Sequence, residues 1–397
     1  MYKSLGLVKT PEDVLSELGS FTFEYTHAQE YLEQAPIEIA AICQVSSEAT
    51  KVILVPKKCL PKSLPNKSLE ELAIKLSAPI LSLKSPLPLS PLTISKPWGE
   101  EIWFTGIEKR GVCSFAGTPI PWLLDCFPNF LTGNHYRPPI LLKILKPSPH
   151  PIKGDLYFEA HKEKKEVYVV TAINPQAWPD GYGRIRFGFN SGKRNQYRST
   201  KAFAEAYLSA VEKYRHVREL IDAGGRAEVD LEKKLREEME SFTALRELKL
   251  GDVVQIHPMT PHSLQHGVSV IEFQTPHYER YILSFAQKVV TQSHWDTEVA
   301  ASHLNFETDF PLSDHVDDMI ADFDEFIVMR LELRTGETFH WSSQSYAILF
   351  CITGKVQVSD TCINQSDAYF LPLECPHLLE CLSEGIFLLA IPKCLGE

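Results

Sequence analysis

Apolar residues recur along this chain with two different periods, and the switches between them mark its organisation. Ile37 to Val45 and Val52 to Val55 are dense in aliphatic and β-branched residues and read as buried strands. Ser68 to Leu76 has the spacing of a short helix. Thr10-Pro11-Glu12-Asp13 is a helix start, with a capping hydroxyl, Pro at the first helical position and acids in the first turn. Pro79, Pro86, Pro88 and Pro91 then predict an extended connector. From Trp98 to Leu145 short apolar segments alternate with Gly and Pro, as strands do, and Leu156–His161, Glu166–Ala172 and Arg184–Phe189 continue the pattern. Between 200 and 248 the period becomes helical: Phe203, Tyr207, Val211 and Tyr214, then Leu231, Leu235, Met239 and Phe242 after the break at Asp222-Ala223-Gly224-Gly225. Strand patterning returns at Gly251 and resumes from Phe326 to Pro392. The prediction is a mainly β fold with a helical insertion and a small N-terminal α/β segment.

One strand carries chemistry. In extended chain alternate side chains share a face, so Glu159 and His161 emerge together, roughly 6–7 Å apart along the strand. Glu166 follows closely, and His262 ends the Pro-bearing turn Thr260-Pro261-His262. Two imidazoles and two carboxylates suit zinc, manganese or iron and leave coordination positions for water or substrate. Each of the four could instead be an ordinary solvated carboxylate or a satisfied core histidine. Other histidines stand nearby, at His257, His266 and His277, and read as supporting or surface residues.

The segment Gly251 to His262 resembles the second cupin motif. Lys96-Pro97-Trp98-Gly99-Glu100-Glu101, Pro139 to Leu145, Phe158-Glu159-Ala160-His161, Lys164-Lys165-Glu166-Val167-Tyr168 and Val270-Ile271-Glu272-Phe273-Gln274 occur in the order of the type I phosphomannose isomerases. The resemblance spans about residues 95–395. It implies two cupin (jelly-roll) β-barrels: a metal-binding barrel from 96–195 and 249–325, a helical insertion at 196–248 and a degenerate second barrel at 326–397, preceded by an appendage and Pro-rich connector at 1–95. It implies aldose–ketose isomerisation of a phosphorylated hexose, with one divalent metal, zinc first and manganese or iron as alternatives, held by Glu159, His161, Glu166 and His262. Lys143, Lys164, Glu272, Arg280 and Lys288 become candidates for substrate binding and proton transfer, with Lys143, Arg280 and Lys288 on the substrate and Lys164, Glu272 and His262 as possible bases.

This sequence departs from the family at three places. Glu159 stands where the family has Gln, the segment from His161 to Glu166 is short, and Ile282 occupies the position of a family Arg. Arg280, two residues earlier and so on the same strand face, is the candidate substitute. In the second barrel Ser342 and Gln344 replace ligand histidines and only His377 is retained, so that barrel is expected to carry no metal. The competing readings are a non-catalytic sugar-binding cupin, and a metal-dependent cupin with another reaction such as an oxygenase.

Composition narrows the partners. A chain of 397 residues can build two or three cores. A net charge of −11 argues against nucleic acid or an anionic membrane as partner, because phosphate backbones require clustered cations. Nine cysteines without C-x-x-C pairing read as reduced thiols in a cytoplasmic protein. Neither a signal-peptide core near Met1 nor an apolar run of membrane-spanning length is expected. The sequence leaves the oligomeric state open.

Overall fold

The computed structural model describes residues 2–16, 18–61, 67–133, 139–292, 294–306 and 318–393. The fold is mainly β, with several sheets and a helical excursion, as the alternating periods predict. The chain divides into two compact units, one of Met1–Leu92, Trp103–Leu142 and Val316–Glu397, the other of Thr93–Ile102 and Lys143–His315. The first 95 residues are therefore not a unit of their own. Among the described residues no helix is long and apolar enough to cross a membrane.

In the first unit, strands Lys3–Leu7, Gly19–Gln29, Gln34–Val45, Thr50–Pro56 and Leu81–Ser82 lie in that order in one sheet. Helix Leu69–Leu76 packs Leu69 and Leu72 beside Ile42, Ile53 and Val55. It begins where the sequence indicates: Ser68 accepts a bond from the Glu71 amide, and the Glu71 carboxylate accepts one from the Ser68 amide. The start at Thr10-Pro11 gives only a 3-10 helix, Pro11–Ser16.

Two expectations fail in this unit. The Pro-rich connector contains a strand, Leu87–Ser90, which pairs with Ala368–Leu371 and with Ser114–Phe115 inside a ten-stranded sheet. Alternation explains it: Leu87 and Leu89 share the buried face, while Pro88 falls between them on the other face. Residues 98–145 do not form strands throughout either, because helices Ile120–Cys126 and Pro128–Thr132 interrupt them. Their periodicity is invisible because Ile120, Pro121, Leu123, Leu124 and Cys126 are all buried, which leaves no polar stripe. The eight described cysteines are free thiols, and Cys394 lies outside the described residues.

The second unit positions the candidate site. One sheet runs Val253–Ile256, Glu166–Ile173, Val268–Gln274, Leu141–Pro147, Gly99–Trp103, Leu92–Lys96; the other runs Thr243–Leu248, Gly183–Phe189, His262–Leu264, Phe158–Ala160, Tyr281–Ser284. Both contribute to one core: Leu145, Tyr168, Val170, Val254, Val268 and Val270 meet Tyr157, Ile185, Phe187, Leu264 and Ile282. Gly99 is required at the edge, since a Cβ there would stand 2.3 Å from the Lys146 carbonyl and its φ is +153°. Trp98 can then insert beneath the crossing chain, 2% exposed.

The helical period yields Thr200–Asp222 and Val229–Glu240. Phe203, Tyr207, Val211 and Tyr214 pack with Phe158, Phe189 and Leu283 of the second sheet. Residues 243–248, expected to be helical, form a strand instead because they pair with Gly183–Phe189.

Candidate metal centre

Glu159 is the middle residue of its short strand, and His161 follows that strand's end. Glu166 opens Glu166–Ile173 and His262 opens His262–Leu264. Register brings them together: Glu159 lies opposite His262 on the second sheet, and Glu166 lies opposite Gln274 on the first. The turn before His262 is closed by the Thr260 amide on the His257 carbonyl at 3.1 Å, with Met259 in the left-handed region at φ 56°. The Met259 amide in turn donates to the His161 carbonyl at 2.7 Å, which ties the two histidine segments to each other.

The donor atoms converge. Ligand atoms of Glu159, His161 and His262 all lie within 4.8 Å of one another. His161 Nε2 is 3.8 Å from Glu159 Oε1 and 3.5 Å from Glu166 Oε1, and His262 Nε2 is 3.3 Å from Glu166 Oε2. Donors on one tetrahedral ion with bonds of about 2.0–2.1 Å would stand roughly 3.3 Å apart, so these separations fit a single ion. Each imidazole is also oriented: Nδ1 of His161 meets the Glu279 carbonyl at 3.0 Å, and Nδ1 of His262 meets the Thr260 carbonyl at 3.0 Å. A carbonyl only accepts, so both rings carry their proton on Nδ1 and turn an Nε2 lone pair inward. Both Nε2 atoms and Glu159 Oε2 are buried without a hydrogen-bond partner. Leaving three such atoms dry costs free energy that a cation would recover, so the donor set fits a divalent metal.

Electrostatics agree. Burial holds the His161 imidazole well below its usual pKa, aided by the charge of Lys164. Burial also acts against charge on His262, but the Glu166 carboxylate 3.3 Å from its Nε2 and the charge of Glu159 outweigh it and raise the pKa. For Glu166, burial is overcome by Lys164 and the two histidines, so the carboxylate stays ionised far below the usual range.

Polar side chains continue the site along the first sheet. Lys143, Glu272 and Gln274 are buried there, with Lys143 Nζ 2.5 Å from Gln274 Oε1 and 3.6 Å from Glu272 Oε1. Lys164 Nζ contacts Glu166 Oε1, and the Tyr168 hydroxyl donates to Glu166 Oε2 at 3.1 Å. Burial raises the Glu272 carboxyl to about 7 against the opposing charge of Lys143. Arg280 joins this group: its guanidinium is 3.7 Å from Glu159 Oε2, 2.7 Å from Thr291 Oγ1, and lies over the Tyr157 ring. Ile282 is wholly buried in the apolar core.

Lys288 is not brought into this cluster. It lies exposed beside a 260 Å³ cavity lined by Arg218, Asp222, Gln292, His294 and Trp295. His257 is exposed, His266 pairs with Asp155 at 2.7 Å, and His277 meets Thr275. Ser342 and Gln344 are exposed, and His377 stacks on Trp341. Sequence reasoning overlooked Tyr168 and the support given by Gln274. The signal was available in period two, since Glu166 with Tyr168 and Glu272 with Gln274 share strand faces.

A cupin-like β scaffold with a candidate divalent-metal centre is the class that fold and donor set define. Solved structures similar in fold to this chain include mannose 6-phosphate isomerases. That from Bacillus subtilis is 15% identical at a TM-score of 0.55, covering 77% of this chain and 99% of its own. A variant of phosphomannose isomerase from Salmonella typhimurium is 12% identical at 0.57, covering 78% of this chain and 100% of its own. A mannose 6-phosphate isomerase bound with zinc and yttrium is 13% identical at 0.57 over the same shares. At such identity the likeness establishes the fold. No family model matches the chain, and no curated protein matches it by sequence.

Proposed function

We propose that this chain is a metal-dependent aldose–ketose isomerase of a phosphorylated hexose, with mannose 6-phosphate as the first substrate. The observation that carries the reading is the pair of oriented, unpartnered Nε2 atoms beside a buried acid whose pKa stands near neutrality. Glu159, His161, Glu166 and His262 would hold one ion. Zinc is preferred, because a solved structure of the same fold binds it, with manganese or iron as alternatives. In this reading residues 326–397 belong to a second jelly-roll barrel without a metal. The free thiols support a reducing, cytoplasmic setting.

The ion, when bound, supplies Lewis-acid polarisation of the substrate carbonyl. Glu272 then moves the proton between C2 and C1 through Oε1, which no hydrogen bond occupies. A carboxyl near pKa 7 both accepts and returns a proton efficiently at neutral pH. Lys164 is committed to Glu166 and His262 to the ion, so neither is the better base. Lys143 holds Glu272 and Gln274 in place and offers a cation to substrate oxygens. Arg280 takes the phosphate, a role for which a planar, permanently charged donor is suited.

One observation favours a sugar-binding protein without catalysis: Arg280 is already engaged by Glu159, Thr291 and Tyr157. Metal analysis of protein purified without added metal, with a coupled assay of mannose 6-phosphate conversion, separates the readings. Isomerase activity that is lost with chelator and restored by zinc supports the proposal. Metal-loaded protein that turns over neither mannose 6-phosphate nor fructose 6-phosphate refutes it.

A further inference from the structure

The ligands His161 and Glu166 stand at the two ends of a turn that passes from one sheet of the second unit to the other. Such a turn has no ladder of its own, so something else must fix the separation of its ends. The Glu279 carboxylate lies against it. Its Oε2 accepts the Lys162 amide at 3.0 Å, and its Oε1 accepts the amides of Glu163 at 2.8 Å and Lys164 at 2.9 Å. Thr275 completes the attachment, its hydroxyl accepting the Lys165 amide at 3.1 Å and its amide donating to the Lys165 carbonyl at 3.0 Å. The backbone carbonyl of Glu279 orients the His161 ring, and the next residue, Arg280, reaches Glu159. A single segment, 275–280, thus touches the whole turn and two of the four ligands.

We infer that Glu279 is a positioning residue of the metal centre: its carboxylate clamps the 162–164 turn and so presets the spacing of His161 and Glu166 and the placement of Lys164. This rests on the metal-centre reading above. Three amides converging on one carboxylate are charge-assisted bonds, stronger than neutral ones and demanding in direction. Without them the turn samples many conformations, and the ion must select the competent one at a cost in affinity.

The test titrates the metal-free full chain with Co²⁺, following its visible absorption, and with Zn²⁺ against a competing chelator. Glu279→Gln and Glu279→Ala are compared with the parent and with Glu237→Gln, an exposed helical control. The expectation is affinity weakened about 10–100-fold in both Glu279 variants, as is typical when support of a ligand is lost, with an altered Co²⁺ spectrum and an unchanged control. Amide exchange in the parent adds a measurement independent of variant folding, since Lys162, Glu163 and Lys164 should exchange slowly although Lys162 and Glu163 are exposed. Folded Glu279→Gln protein that binds Co²⁺ within twofold of the parent with the same spectrum overturns the inference, as does exchange of the three amides at unstructured rates. A fall in melting temperature with unchanged affinity also overturns it, because that marks a fold-stabilising role alone. A parent that binds neither ion defeats the metal-centre reading itself, an outcome distinct from any difference between variants.

Discussion

Replacing Glu272 by Gln isolates the electrostatics of the buried acid. The side chain is 2% exposed, and burial raises its carboxyl from 4.5 to about 7, with Lys143 opposing the shift. In the unfolded chain the group ionises near 4.5, while in the fold it holds its proton until about pH 7. Its contribution to stability is therefore complete below pH 4.5 and is lost as pH rises to 7. Gln never ionises, so the variant should gain on the parent by about 1.4 kcal/mol per pH unit across that window, on the order of 3 kcal/mol in all, and then level off. Scanning fluorimetry of the metal-free proteins from pH 4.5 to 8 reads this directly. For a unit of this size the divergence should be roughly 6–12 °C by pH 8, at about 2–4 °C per kcal/mol. A difference between variant and parent that stays flat from pH 5 to 8 would show that Glu272 ionises normally. The proton-transfer role assigned to it would then lose its physical basis.

His262→Ala should remove most bound metal, measured by elemental analysis after dialysis, because it deletes one of two oriented Nε2 donors; retention of a full equivalent contradicts the ligand set. Arg280→Ala should lower kcat/KM by at least tenfold, about 1.4 kcal/mol of transition-state stabilisation, with Arg280→Lys intermediate in steady-state assays. Phe189→Ala should cost about 3–5 kcal/mol in urea unfolding, since the ring stacks on Phe306 at 4.4 Å and meets Tyr207 at 5.1 Å.

The parts legible in sequence were those governed by local rules. Ser68 with Glu71 marks a capping box, and the Phe203 to Tyr214 spacing marks a helix that buries those residues. Glu159 and His161 were paired by strand geometry alone. What escaped depended on partners distant in sequence. Leu87–Ser90 is a strand because Ala368–Leu371 and Ser114–Phe115 border it, and nothing within the Pro-rich run announces them. Residues 243–248 continue a helical apolar pattern, yet sheet pairing claims them. At the centre, Tyr168 supports Glu166 from the same strand face, within reach of period two, whereas Glu279 meets His161 from 118 residues further along the chain, where no spacing rule exposes it. Lys288 is a candidate only through the resemblance, and the structure carries it instead to the cavity beside Arg218 and Trp295.

The helical segment between Gly183–Phe189 and Thr243–Leu248 leaves and re-enters one antiparallel ladder, with Phe189 paired to Thr243. Topologically the excursion is a hairpin connection swollen from a few residues to a short helix and two longer ones, and its ends are already joined. Connections of this kind can be shortened with little loop-closure penalty, since entropy grows only slowly with loop length. What resists excision here is wetting: without the helices, Phe158, Phe189 and Leu283 would lose the cover of Phe203, Tyr207 and Tyr214 and keep only that of the segment ending at Phe306. A trimmed chain closed by a two-residue turn should therefore keep the register of its ladder but self-associate until those three positions are made polar.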